Sequence, residues 1–248
     1  TGHFGKWHVG LTAFDEKGKP IHRNGLDAVR RIDYSRPIEG GPVDRGFDHF
    51  FGTASCPTTD WLYAYVEGNR IPVPPTRIVD RGPLPKHPYS RDNRPGMIAP
   101  DFDLEAVDQV FLKKSLEFLK RHKKEKPDKP FFLFHSMQAV HLPSFASEAF
   151  QGKTQSGPHG DFIHEMDAIV GELCPDKPPI EDGAEDDVPV DVIDSSDESV
   201  ETDDPGTDGS DGQSGSIGKD INTDQVISDG YSGKGVVVAV VDSGLEIN

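Results

Sequence analysis

The chain has 248 residues and a formal net charge of −17, which is unevenly distributed. Residues 1–173 carry as many basic as acidic residues, whereas residues 174–248 carry 3 lysines and 20 acidic residues. This acidic balance argues against a nucleic-acid partner, because phosphate contacts need clustered Lys and Arg. No apolar run approaches the roughly 20 residues that span a bilayer. The 2 cysteines exclude a fold built on disulfides.

The first motif is Gly5-Lys6-Trp7-His8-Val9-Gly10. In an extended segment, residues two apart point to the same face, so Lys6 and His8 can reach one anion while Trp7 packs the other way. The flanking glycines allow a tight turn or a close approach to a ligand. The alternative interpretation is a surface strand with chance charges.

Three patterns organise residues 11–100. The stretches 11–45 and 72–100 are rich in turn residues and predict loops, the second of them a rim that shapes substrate access. Residues 45–52, RGFDHFFG, form an aromatic cluster between glycines and predict a packing corner. Alternation over 63–71 predicts a short strand.

The next part of the chain reads as helix followed by strand. Apolar residues from Leu104 to Leu119 fall near helical spacing, and Asp101 or Asp103 is a candidate cap. The run Pro130–His135 predicts a buried parallel strand, in which His135 serves packing.

Helix and strand in this order are typical of a doubly wound α/β sheet, whose functional groups collect at the carboxyl ends of the strands. His141 follows the predicted strand at such an end. A second helix is predicted after Gly157. Its Glu165 and Asp167 are two apart, which places them on different helix faces, so we interpret both as structural or solvated.

These blocks resemble the sulfatase family. GKWHVG, GFDHFFG, PFFLFHSMQAVHLP and GDFIHEMDAIVGEL occur in the order that family shows, over about residues 1–173. The resemblance implies an α/β fold, an incomplete alkaline-phosphatase-like sulfatase segment, and a sulfuric ester hydrolase that is arylsulfatase-like. The implied substrate is a sulfate-ester small molecule or a sulfated glycan.

The resemblance also implies site residues. Lys6, His8 and His141 match positions that contact the sulfate ester, and they are the candidate catalytic and substrate-binding residues. Ser55 lies near a position where some relatives place a hydroxyl on the sulfate.

Two parts of the family's chemistry are missing from this sequence. The family's nucleophile is a formylglycine made from Cys or Ser in a C/S-x-P-x-R motif, which is absent; Cys56 fails the pattern because Pro57 follows directly and Asp60 stands where Arg should. The family's Ca²⁺ is held by blocks that this sequence lacks, so we assign no metal ligand. We therefore expect no turnover from this chain alone, and whether it is an enzyme stays open.

Residues 174–248 differ in composition from the rest of the chain. Residues 174–212 are crowded with acidic and small residues and predict a disordered linker. The run Val236–Val241 predicts a buried strand, and GKGVVVAVVDSGLEIN resembles the first catalytic block of subtilisin-like, nearest kexin-like, serine proteases. That resemblance makes Asp242 the aspartate of an Asp-His-Ser triad.

The predicted domains are a partial sulfatase domain at 1–173, the linker at 174–212 and the start of a peptidase domain at 213–248. We expect a chain truncated at both ends, and a gene-model or assembly join near Leu173/Cys174 as the cause. Two alternative functions remain: a serine endopeptidase fragment, and a non-enzymatic acidic protein that takes up Ca²⁺ through 176–212. Secretion or periplasmic export is expected only because both families are often exported.

Overall fold

The computed structural model describes residues 1–22 and 24–174 and the backbone of a short strand at 238–239. Its main sheet has five strands in the order β10-β9-β1-β4-β6. The strands are β1 (Gly2–Lys6), β4 (His49–Thr53), β6 (Val66–Glu67), β9 (Leu133–Ser136) and β10 (Val238–Ala239). β1 is parallel to both β4 and β9, whereas β6 is antiparallel to β4.

The buried parallel strand predicted at Pro130–His135 is β9, shifted toward the C-terminus. β1 lies at the centre of the sheet and is buried along its whole length. It is therefore no surface strand. Gly5 lies between two closely packed neighbouring strands. A Cβ on Gly5 would be 1.8 Å from the carbonyl oxygen of Ser136 in β9, and a Cβ on Gly52 in β4 would be 1.7 Å from the carbonyl oxygen of Gly5.

β10 is parallel to β9, with Val238 opposite Phe134. The strand predicted for a separate peptidase sheet thus pairs, over Val238–Ala239, with the sheet of the N-terminal part. An edge strand presents unpaired backbone N–H and C=O groups, to which a further strand can hydrogen-bond. A valine-rich run favours the extended conformation that such a strand needs. The rest of 175–248, including the predicted linker and Asp242, lies outside the described residues.

Short elements outside the main sheet occupy most of the stretches that were predicted as loops, and one lies at 62–63. β2 (Ala13–Phe14) and β3 (Pro20–Ile21) form a hairpin, followed by α1 (Leu26–Val29) and a 3₁₀ turn at Pro42–Arg45. β5 (Leu62–Tyr63), β7 (Arg77–Ile78) and β8 (Met97–Ile98) form a second small sheet, with a 3₁₀ turn at Pro88–Ser90. The single strand predicted over 63–71 is replaced by β5 and β6, because the chain leaves one sheet and joins another.

Of the two long helices, the first packs on the main sheet, against β1, β4 and β9, and the second packs against the first. They are α2 (Val107–Glu125) and α3 (Gly157–Leu173). The cap predicted for α2 is wrong: Ala106 is the N-cap, and the Asp103 carboxylate instead accepts the backbone N–H of Glu105 at 2.9 Å. No helix among the described residues has both the length and the apolar character that crossing a membrane requires.

The aromatic cluster is buried as predicted, but its residues 49–52 belong to β4 rather than to a corner. Phe50 and Phe51 are buried, and Phe51 stacks on Tyr65 with ring centroids 5.0 Å apart. The carboxyl ends of β1, β4 and β9 lie at one edge of the sheet, at Lys6, Thr53 and Ser136. The loops that follow these strands carry His8, Ser55 and His141, so the topology gathers the candidate site there.

Candidate functional site

His8 lies in a turn just beyond the last residue of β1. Its backbone φ is 53°, and its N–H donates to the carbonyl oxygen of Ala54 at 3.1 Å. The indole Nε1 of Trp7 donates to the carbonyl oxygen of Gly10 at 2.8 Å and closes the turn. The prediction that Lys6 and His8 share one face of an extended segment therefore fails, because the strand ends between them.

The imidazole of His8 contacts a cysteine. Its Nδ1 is 3.3 Å from Sγ of Cys56, which follows β4. This hydrogen bond is the main cause that raises the pKa of His8, while partial burial and the charge of Lys6 act in the opposite direction. The nearby Asp60 carboxylate raises the pKa further. His8 therefore holds its positive charge to a higher pH than an ordinary histidine.

Lys6 ends β1 opposite Thr53 and is 2% exposed. Its charge acts on His8 and on Asp108, whose pKa it lowers. It is absent from the residues that line the cavity described below. Lys6 is thus a buried side chain at the carboxyl end of β1, outside the set of residues that line the cavity.

Ser55 belongs to the same loop as Cys56. Its Oγ is buried and has no hydrogen-bond partner, while its carbonyl oxygen accepts the Thr53 hydroxyl at 2.7 Å. A buried hydroxyl without a partner is costly, and a bound ligand would remove that cost.

His141 lies in the loop after β9, and Asp108 of α2 holds the start of this loop. The Asp108 carboxylate accepts the backbone N–H of Gln138 at 2.7 Å and of Ala139 at 2.9 Å. The side-chain amide of Gln138 then donates to the carbonyl oxygen of His141 at 3.1 Å. Nδ1 of His141 is hydrogen-bonded to the carbonyl oxygen of Leu142, which can only accept, so Nδ1 carries the proton. Nε2 is the ring nitrogen that remains to meet a ligand.

An open cavity of about 910 Å³ joins these loops. His8, Ser55, Cys56 and His141 all line it, although they come from loops that are far apart in the chain. Further polar groups on its wall are His22, Asn24, Thr59, Asp60 and Arg94. The wall is richer in cationic and imidazole groups than in carboxylates, which suits an anionic ligand.

The cavity wall does not fit a calcium ion. Ca²⁺ takes six to eight oxygen ligands, usually several of them carboxylates, and Asp60 is the single carboxylate among the lining residues. Across residues 1–22 and 24–174, no group of three His, Cys, Asp or Glu could hold a metal ion. We therefore derive no step through calcium from these residues.

Two other buried ionisable groups, His135 and Glu165, have hydrogen-bond partners within the protein. Ser115 Oγ lies 2.8 Å from Nδ1 of His135, and burial lowers the pKa of this histidine to about 4. Glu165 is 1% exposed and accepts three hydrogen bonds, whereas Asp167 is exposed. The two carboxylates thus lie on different faces of α3, as their spacing indicated.

Comparison with known proteins decides the family. A family model described as Sulfatase matches residues 1–176. The chain belongs to the sulfatase family. The match ends at 176 and lends no support to a subtilisin-like protease in the remaining residues, so the assignment of Asp242 rests on its resemblance alone.

The curated relatives are sulfatases as well. The chain is similar to the N-acetylgalactosamine-6-sulfatase of Canis lupus familiaris, with 29% identity over 139 residues, 53% of this chain and 23% of the relative. It is similar to human Arylsulfatase D, with 39% identity over 70 residues, 28% of this chain and 11% of the relative. The chain thus spans about a quarter or less of the length of these two relatives.

A solved structure shares the fold. The chain is similar to a protein of a Bacteroides thetaiotaomicron genetic locus for glycosaminoglycan metabolism, with a TM-score of 0.51 and 24% identity. The likeness covers 71% of this chain and 38% of that protein. It supports the mixed α/β sulfatase fold.

Sequence reasoning missed two residues that shape the site. Asp108 gives no local signal, because its partners are 30 residues away in the chain. The motif around Cys56 excludes it as a formylglycine source and gives no sign of its contact with His8. Its contact with His8 follows from the parallel register of β1 and β4, which places Lys6 opposite Thr53 and so brings the two following loops together.

Proposed function

We propose that residues 1–174 form the sulfate-holding part of a sulfuric ester hydrolase, in which His8, His141 and Lys6 act on the sulfuryl group of a bound ester. One observation carries the proposal. His8 and His141 leave separate parallel strands of one sheet and line the same cavity. Family membership makes sulfate-ester chemistry the matching reaction class.

The two histidines suit different parts of such a reaction. His8 is an imidazolium donor to a sulfuryl oxygen, since its pKa is raised by Cys56. His141 directs Nε2 to the ligand, because Nδ1 is held by the Leu142 carbonyl oxygen. Either ring can protonate the leaving oxygen. Preorganised donors aimed at developing charge usually make the largest contribution to transition-state stabilisation in sites of this kind. Ser55 offers a further hydroxyl to the anion.

Lys6 contributes at longer range in this proposal. Its ammonium group lies in the buried end of β1, where low polarity strengthens its field at the cavity floor. The same field acts against protonation of His8, and the Cys56 and Asp60 contacts offset that effect.

The proposal assigns binding and proton transfer to this chain, and no nucleophile. The C/S-x-P-x-R motif that supplies formylglycine in the family is not among its residues. We accordingly propose that this chain binds sulfate and simple sulfate esters without hydrolysing them.

The proposed substrates are sulfated sugars or aryl sulfates. The relatives named for N-acetylgalactosamine 6-sulfate and for aryl sulfates support these two classes. A cavity of about 910 Å³ lies in the range that small-molecule sites occupy, roughly 300–1,000 Å³.

The proposed domain organisation follows the sequence. Residues 1–173 are the partial sulfatase domain, residues 174–212 are an acidic linker, and residues 213–248 are a separate C-terminal segment. We also propose that the protein is exported.

Equilibrium dialysis with radiolabelled sulfate tests the proposal. We expect the full chain to bind sulfate, and the substitutions His8→Asn and His141→Asn each to weaken binding at least fivefold. His164→Asn is the matched control, because His164 is exposed on α3 and absent from the cavity wall. Equal binding by all four proteins, or hydrolysis of an aryl sulfate by the chain, would refute the proposal.

A further inference from the structure

Cys56 and His8 meet at the cavity wall, and the proposed function uses the cysteine only to raise the pKa of His8. Their Sγ and Nδ1 atoms are 3.3 Å apart, within hydrogen-bond distance for sulfur. The pair is built by the sheet, because the two residues follow the neighbouring parallel strands β1 and β4. A thiol paired with an imidazole is the arrangement that activates cysteine as a nucleophile.

We propose that Cys56 is a thiol-modification site, at which a small disulfide entering the cavity is attacked by Cys56 with His8 as the proton carrier. In this pair Nδ1 of His8 holds the thiol proton, and the thiolate sulfur attacks one sulfur of the disulfide. The S–S bond of the disulfide breaks, and the departing half leaves as a thiolate that takes up a proton. Cys56 ends as a mixed disulfide, and the small disulfide is the oxidant.

The cavity decides which electrophiles reach this sulfur. Cys56 is 2% exposed, so only a small reagent arriving through the cavity can contact it. The neighbouring Ser55 hydroxyl has no hydrogen-bond partner and offers one to the incoming molecule. An adduct on Cys56 would occupy space beside His8, and modification therefore competes with any ligand of the cavity.

The second cysteine provides an internal comparison. Cys174 follows the last residue of α3, is partly buried and is a free thiol. In the part of the chain that the structure describes, no histidine is hydrogen-bonded to it. It should therefore react as an ordinary thiol.

Several charged groups set the protonation of the pair. Asp60 favours the charged imidazole of His8, and Lys6 disfavours it. Further titratable or charged groups on the cavity wall are His22, Arg94 and His141. The pH profile of the thiol, rather than its absolute rate, is the informative quantity, because burial slows the reaction at every pH.

The test measures labelling by methyl methanethiosulfonate with intact-mass spectrometry at pH 6 and pH 7. An ordinary thiol reacts about tenfold faster at pH 7, because its thiolate fraction rises tenfold per unit below a pKa of about 8.5. We expect this from Cys174 in the Cys56→Ser chain. Cys56 in the Cys174→Ser chain should change less than about threefold, because the imidazole already holds the thiol proton.

Adding His8→Asn to the Cys174→Ser chain should restore the tenfold dependence of Cys56. Asn is chosen because it tolerates the positive φ of this position. A bulky polyethylene-glycol maleimide is the folding control: it cannot reach Cys56 while the variant remains folded. A tenfold dependence for Cys56 with His8 present, an unchanged profile in the variant, or labelling of Cys174 alone would each overturn the proposal.

Discussion

Asp108, in the first turn of α2, binds the backbone N–H of Ala139 at 2.9 Å and so ties the helix to the loop that carries His141. The same carboxylate binds the N–H of Gln138 at 2.7 Å. One buried side chain thus fixes the path of the chain from the end of β9 to the cavity wall. In the proposed function, Asp108 is a positioning residue that acts through His141.

Replacing Asp108 with Asn should loosen this loop. An amide offers one oxygen where the carboxylate offers two, so one of the two backbone N–H groups loses its acceptor. We expect a loss of about 1–3 kcal/mol in the free energy of unfolding, the usual cost of a buried unsatisfied group. Urea unfolding measures the loss, and hydrogen exchange at Gln138 and Ala139 should accelerate. Asp128→Asn, at an exposed carboxylate, is the control; equal losses in both variants would contradict the expected role.

Asp108 should also make stability depend on pH. Burial raises its pKa to about 7, although the two N–H donors and Lys6 act in the opposite direction. A carboxyl group whose folded pKa exceeds its unfolded value of about 4 stabilises the fold fully below pH 4 and loses that contribution as pH rises through 7. The stability advantage over Asp108→Asn should therefore fall by about 1 kcal/mol between pH 6 and pH 8. Urea unfolding of both proteins across this range checks the sign, and an advantage that grows with pH would contradict it.

Glu165 and Asp167 form a matched pair for mutation. Glu165 accepts hydrogen bonds from the Gln109 amide, the Ser147 hydroxyl and the Ser147 N–H, at 2.7 to 2.9 Å. Glu165→Gln should cost about 1–3 kcal/mol, because one of these donors then faces an amide NH₂ group. Asp167→Asn should stay within about 0.5 kcal/mol, since Asp167 is exposed. Thermal unfolding of both variants measures the difference, and a cost at Asp167 equal to that at Glu165 would show that burial is not the deciding factor.

Local patterns in the sequence predicted the elements whose periodicity is strong. The apolar spacing before Leu119 and the run before His135 predicted a helix and a buried strand, and the structure has α2 and β9 at these places. The ends of elements were less predictable, because Asp103 caps its own turn rather than the helix. Such choices depend on packing that a single segment does not encode.

The candidate site was predictable only as a set of residue types. His8, Ser55 and His141 were named from the sequence, and they meet because three parallel strands end at one edge of the sheet. The partners of these residues were missed, since the contacts of Cys56 with His8 and of Asp108 with Ala139 span 48 and 31 residues. The burial of Lys6 was missed as well, because β1 proved to be the central strand.

The most direct test of the account is an NMR titration of the histidine side chains with sodium sulfate. A sulfate bound between the two imidazoles contacts both, so the ring resonances of His8 and His141 should both shift, with the same sulfate dependence. His164, on the outer face of α3, should remain unchanged at matched ionic strength. If the resonances of His8 and His141 do not respond to sulfate, or shift no more than that of His164, the two histidines do not form one anion site and the account is wrong.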